Sequence, residues 1–117
     1  MLVYSIALLA LAAVFGMYMI FRVFGGALPP WGAAILHGLF AATGLVLLLY
    51  VAFLAGTPQP QAVTIAAILL VVAALGGFVL VSYHLRKQVP PKMLAGVHAL
   101  VAVAGFCTLG GSMLGLF

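Results

Sequence analysis

The chain has 117 residues, 68% of them hydrophobic and 3% charged, with four Lys or Arg and no Asp or Glu. A soluble domain carries roughly 25% charged residues, so a hydrated globule is excluded. Every mechanism that needs a carboxylate acid, base, or Mg²⁺ or Ca²⁺ ligand is excluded with it. The formal charge of +4 is no sign of nucleic-acid binding, because four cations in so apolar a chain make no basic face.

A transmembrane helix needs about 20 mostly apolar residues, and four stretches qualify. The first covers about residues 2–24 and is closed by Gly25-Gly26 and Pro29-Pro30. The second, about 31–55, ends at Gly56-Thr57-Pro58-Gln59-Pro60-Gln61, and the third, about 62–85, is followed by Arg86-Lys87-Gln88-Val89-Pro90-Pro91. The fourth runs from Lys92 to about residue 116. Continuous apolar runs lack the alternation of a membrane barrel. The expected fold is therefore all-α, an integral membrane four-helix bundle in one domain. Connections of about six residues make successive helices antiparallel neighbours. Met1–Gly16 lacks the basic start of a signal peptide and is read as a retained first helix.

Arg22, Arg86, Lys87 and Lys92 all fall at the first and third connections. The positive-inside rule places those connections in the cytoplasm and both termini outside. The expected location is a bacterial inner membrane.

Residues 29–44 read PPWGAAILHGLFAATG and residues 90–105 read PPKMLAGVHALVAVAG. At a constant offset of 61 they share seven of sixteen positions, His37 and His98 among them; roughly two matches are expected from composition. The expectation is two related hairpins, both beginning outside, about an axis along the membrane normal. Helical spacing places Ala34, His37, Ala41 and Gly44 on one face, and Ala95, His98, Ala102 and Gly105 on the equivalent face. An imidazole at that depth needs a partner, because hydrocarbon supplies none.

Two readings follow. In the first, His37 and His98 meet across the bundle and ligate the iron of a b-type haem. Ala41, Gly44, Ala102 and Gly105 then leave room for the macrocycle, and cations at the basic edge, such as Arg22 and Lys92, face its propionates. In the second, the small faces serve close helix packing and the histidines tie helices together through hydrogen bonds.

Of the other candidates, His84 sits beside Tyr83 and Arg86 and is expected to anchor at the headgroups, as are Tyr4, Tyr18, Tyr50 and Trp31. Met17 and Met19 reach a depth similar to that of His37, where methionine can ligate haem iron, but are expected to serve ordinary packing, and the single Cys107 to be a buried, inert thiol. Gly76, Gly77, Gly110, Gly111 and Gly115 suit close packing.

Histidines in helices 2 and 4 of a four-helix membrane bundle, each on an Ala/Gly face, resemble the small membrane-bound b-type cytochromes. The resemblance implies axial ligation by His37 and His98, and electron transfer that involves quinones or other redox subunits. Many such cytochromes stack two haems on four ligands, whereas this chain has histidines for one, near the cytoplasmic face. The resulting expectation is an electron-transfer or quinone-linked subunit that is not a stand-alone enzyme. The partners this implies are the lipid bilayer, other membrane subunits and quinone. The alternative is a cofactor-free accessory subunit of a respiratory or photosynthetic complex.

Overall fold

A computed structural model describes all 117 residues. It is all-helical and contains no strand. Four helices run in chain order: α1 (Leu2–Phe24), α2 (Trp31–Leu49), α3 (Gln61–Leu85) and α4 (Lys92–Met113). All four are long and apolar enough to cross a membrane, α2 when counted to Leu54.

Pro30, Pro60 and Pro91 occupy the N-cap positions of α2, α3 and α4. A proline there stops any helix from extending backward and forfeits only an amide that would lack a partner anyway. Three of the C-termini share one device. After α1 the amides of Gly26 and Ala27 bond back to Val23 and Arg22, with Gly26 at φ 81°. After α3, Lys87 and Gln88 bond back to His84 and Tyr83, with Lys87 at φ 56°. After α4, Gly115 and Leu116 bond back to Ser112 and Gly111, with Gly115 at φ 75°. This paired closure satisfies orphan carbonyls with one left-handed residue. It ends α4 at Met113, three residues before the end expected from hydropathy. The second helix keeps going beyond Leu49 through one wide turn, Tyr50–Leu54, in which the Ala55 amide reaches the Tyr50 carbonyl.

The helices pack as two hairpins, α1 with α2 and α3 with α4, which meet through α1 against α4 and α2 against α3. The bundle measures 43 × 22 × 19 Å. Its continuous apolar core gathers Leu9, Leu48, Val63, Ala66, Ala67, Leu70 and Leu109. Within it Leu9 and Leu70 stand 61 residues apart, as do Leu48 and Leu109. Ser5, fully buried, donates its hydroxyl to the Gly44 carbonyl at 2.8 Å and so binds α1 to α2. Most other large apolar side chains lie on the outer surface, among them Phe21, Phe53, Leu75, Phe78 and Leu100.

Candidate functional site

His37 is in the second turn of α2, and His98 is at the same stage of α4. Each imidazole reaches across its own hairpin to a backbone carbonyl. Nδ1 of His37 lies 2.7 Å from the Ala12 oxygen, and Nδ1 of His98 lies 2.8 Å from the Ala73 oxygen. A carbonyl only accepts, so in both rings Nδ1 carries the proton and donates. Both Nε2 atoms are left with an in-plane lone pair.

The two half-buried rings also meet each other. Their centroids are 6.3 Å apart and their planes cross at 77°. All four helices thus contribute, α2 and α4 through side chains and α1 and α3 through carbonyls. The bonding partners repeat the offset of the histidines: Ala12 and Ala73 are 61 apart, as are His37 and His98. No third His, Cys, Asp or Glu joins the pair. Two imidazoles with free Nε2 atoms are therefore the whole donor set.

The small-residue faces do something more specific than line a gap between the histidines. A Cβ on Gly44 would stand 2.9 Å from Leu9 Cγ and 3.1 Å from the Ser5 carbonyl oxygen. A Cβ on Gly105 would stand 2.8 Å from Leu70 Cγ and 3.2 Å from Leu69 Cβ. Both glycines face the partner helix of their own hairpin, and leucines fill the space. Ala41 and Ala102, one turn nearer the histidines, are half-buried.

Glycines on the other two helices touch the rings directly. A Cβ on Gly16 of α1 would lie 3.0 Å from His37 Cε1, and one on Gly77 of α3 would lie 3.3 Å from His98 Cε1. Sequence reasoning did not single out Ala12, Ala73 or Gly16. A signal for them exists: at the same offset, α1 and α3 share Leu8/Leu69, Leu9/Leu70, Ala12/Ala73, Ala13/Ala74 and Gly16/Gly77.

No family model matches the chain, and no curated protein or solved structure matches it.

At the end of the bundle where α2 begins and α3 ends, the hairpins differ. Trp31 lies flat against His84, centroids 3.9 Å apart and planes 6° from parallel. His84 is 5% exposed, and its Nε2 is buried without a partner. A group expected among lipid headgroups is instead packed between α2 and α3. The positions 61 away from these two are Lys92 and Val23, which do not form an aromatic pair.

The cations share that end. Arg22 is exposed and donates to the Leu28 carbonyl at 3.3 Å. Arg86 lies over the Tyr83 ring at 4.6 Å and donates to the Ser82 carbonyl. Lys87 and Lys92 are exposed. Cys107, expected to be buried, is exposed on α4. Met17 is exposed and Met19 half-buried.

Proposed function

We propose that the chain spans a bacterial inner membrane as two related hairpins and holds one b-type haem between His37 and His98. It would serve as an electron-transfer or quinone-linked subunit of a larger membrane complex. The observation that carries this reading is the paired imidazoles, each with Nδ1 committed to a carbonyl and Nε2 left to bind. A hydrogen bond of that kind, from the ring nitrogen not used for binding, orients a metal-ligating histidine and raises its basicity.

The donor count supports haem over a bare ion. Two nitrogens leave most metal ions short of ligands, and the chain has no carboxylate to add. A macrocycle brings the missing donors itself. The two rings also lie close together, with centroids 6.3 Å apart. Haem, when bound, supplies a one-electron couple. The chain's part is to hold both rings by their carbonyl bonds and to surround them with apolar side chains. Exposed Arg22, Lys87 and Lys92 are the available counter-charges for propionates, Arg22 while also donating to the Leu28 carbonyl, whereas Arg86 is engaged with Tyr83 and Ser82. Gly44 and Gly105 do not fit the cradle role, because Leu9 and Leu70 already occupy their faces.

That last observation favours a second reading, a cofactor-free accessory subunit. Edge-to-face aromatic pairs also settle at centroid distances of roughly 4.5–7 Å, so the two histidines can serve as packing ties. The readings separate by colour. Purified in detergent, the protein is expected to show a Soret band and reduced b-type peaks. A folded, colourless protein that takes up no added haem overturns the first reading and leaves the second.

The orientation has its own test. In a Cys107→Ser background, cysteine at Thr57 is expected to react with an impermeant thiol reagent on intact cells. Cysteine at Gln88 is expected to react only after lysis. The reverse pattern would place the basic connections outside.

A further inference from the structure

We infer that Gly16 and Gly77 are positioning residues: each bares the backbone carbonyl that holds a histidine and acts as the platform that fixes that ring's plane. On a helix the Cα–Cβ bond leans toward the N-terminus, so a side chain covers the turn before its own Cα. Residue 16 therefore shields the carbonyl of residue 12, and residue 77 that of residue 73. With hydrogen in place of a side chain, the Ala12 and Ala73 oxygens stay open to the imidazoles at 2.7 and 2.8 Å.

The contacts show how closely this space is used. A Cβ at position 16 would meet His37 Cε1 at 3.0 Å and Nδ1 at 3.2 Å. At position 77 it would meet His98 Cε1 at 3.3 Å, and at the neighbouring Gly76 it would meet His98 Nδ1 at 3.5 Å. The position equivalent to Gly76 is Phe15, which stacks on Phe40 at 5.9 Å rather than on His37. The Ala-x-x-x-Gly pair is the element common to both hairpins, and both of its copies face a histidine. A carbonyl bond alone lets an imidazole pivot about the hydrogen bond, whereas close approach of its Cε1–Nδ1 edge to helix backbone limits that pivot. Bond and platform together hold the rings at 77° to each other.

The test uses the full chain. In ¹⁵N-histidine spectra, wild-type His37 and His98 are each expected to show a protonated Nδ1 and an unprotonated Nε2, the tautomer that free histidine disfavours. Gly16→Ala is expected to convert His37 to a mixture of tautomers and leave His98 unchanged. Gly77→Ala is expected to do the opposite, more weakly because its contact is longer. Gly38→Ala, where a Cβ meets nothing within 4 Å, is the control for folding and should alter neither ring. The inference is overturned if the wild-type rings carry the proton on Nε2, or if Gly16→Ala matches Gly38→Ala.

A second readout rests on the haem reading. Nearly perpendicular axial imidazoles give a strongly anisotropic low-spin ferric EPR signal. Gly16→Ala is expected to shift it toward the rhombic signal of more parallel rings. Absence of any haem spectrum removes the haem reading and leaves the platform to the nitrogen spectra. A haem signal that Gly16→Ala does not shift removes the platform alone.

Discussion

In haem-loaded protein, His37→Ala and His98→Ala are each expected to convert a six-coordinate low-spin spectrum into a five-coordinate high-spin one, and the double variant to lose the cofactor. The asymmetry between single and double loss follows from how the ligands are held. His37 is bonded to Ala12 inside the first hairpin and His98 to Ala73 inside the second. Removing one ring leaves the other pinned, its Nε2 still available. Affinity should fall by at least about a hundredfold in either single variant, since losing an outer-sphere partner alone costs 10- to 100-fold. His84→Ala is the internal control. It lies two turns beyond Gly77 on α3, about 10 Å along the axis, and it is stacked on Trp31. Its removal should leave the spectrum as it was. A spectrum that survives His98→Ala unchanged would exclude bis-histidine ligation.

The four helices were legible because prolines and glycines punctuate runs of apolar residues, and each proline pair falls where a helix starts. The end of α4 was less legible. Hydropathy continues through Leu114 and Leu116, but backbone closure at Gly115 stops the helix first. The wide turn at Tyr50–Leu54 has no mark in composition.

At the site, the recurrence of histidine at an offset of 61 singled out two rings that the fold places side by side. What holds them was hidden, since any residue can present a carbonyl, and Ala12 and Ala73 carry no side-chain clue. Gly44 and Gly105 were placed on the right face but given the wrong neighbour. A helical face wide enough to include His37 and Gly44 borders both α1 and the opposite hairpin. Imidazole is long enough to engage both, whereas a bare glycine takes the nearer helix, here through Leu9. The Trp31–His84 stack joins residues 53 positions apart in different hairpins. Neither residue has an aromatic counterpart at the offset of 61, so no periodicity pointed to it.

Gly44→Ala and Gly105→Ala are expected to destabilise the bundle by about 1–3 kcal/mol each, the usual cost of an added methyl in a full core. The sign is what makes the measurement decisive. In an exposed helix interior, Gly→Ala stabilises by up to about 1 kcal/mol, and Gly38→Ala on the same helix should show that gain. At Gly44 the new methyl would meet Leu9 Cγ at 2.9 Å and the Ser5 carbonyl oxygen at 3.1 Å, and a backbone atom moves only with its helix. At Gly105 the obstacles are Leu70 Cγ and the Leu69 Cβ, close to the backbone. Gly111 is the contrast. A Cβ there would stand 2.5 Å from the far end of the Phe117 ring, a side-chain tip that can swing aside cheaply. Denaturant titration of helicity in detergent measures all four variants. Adding Leu9→Ala to Gly44→Ala, or Leu70→Ala to Gly105→Ala, should recover part of the loss, with a coupling of about 0.5–3 kcal/mol for groups in contact. If Gly44→Ala proves as stable as Gly38→Ala, the leucine does not hold α1 against α2. Because His37 lies two turns from Gly44 on α2, forcing α1 away should also stretch its 2.7 Å bond to Ala12. A destabilised Gly44→Ala is therefore expected to show a weakened His37 tautomer preference as well, which links hairpin packing to the state of that imidazole.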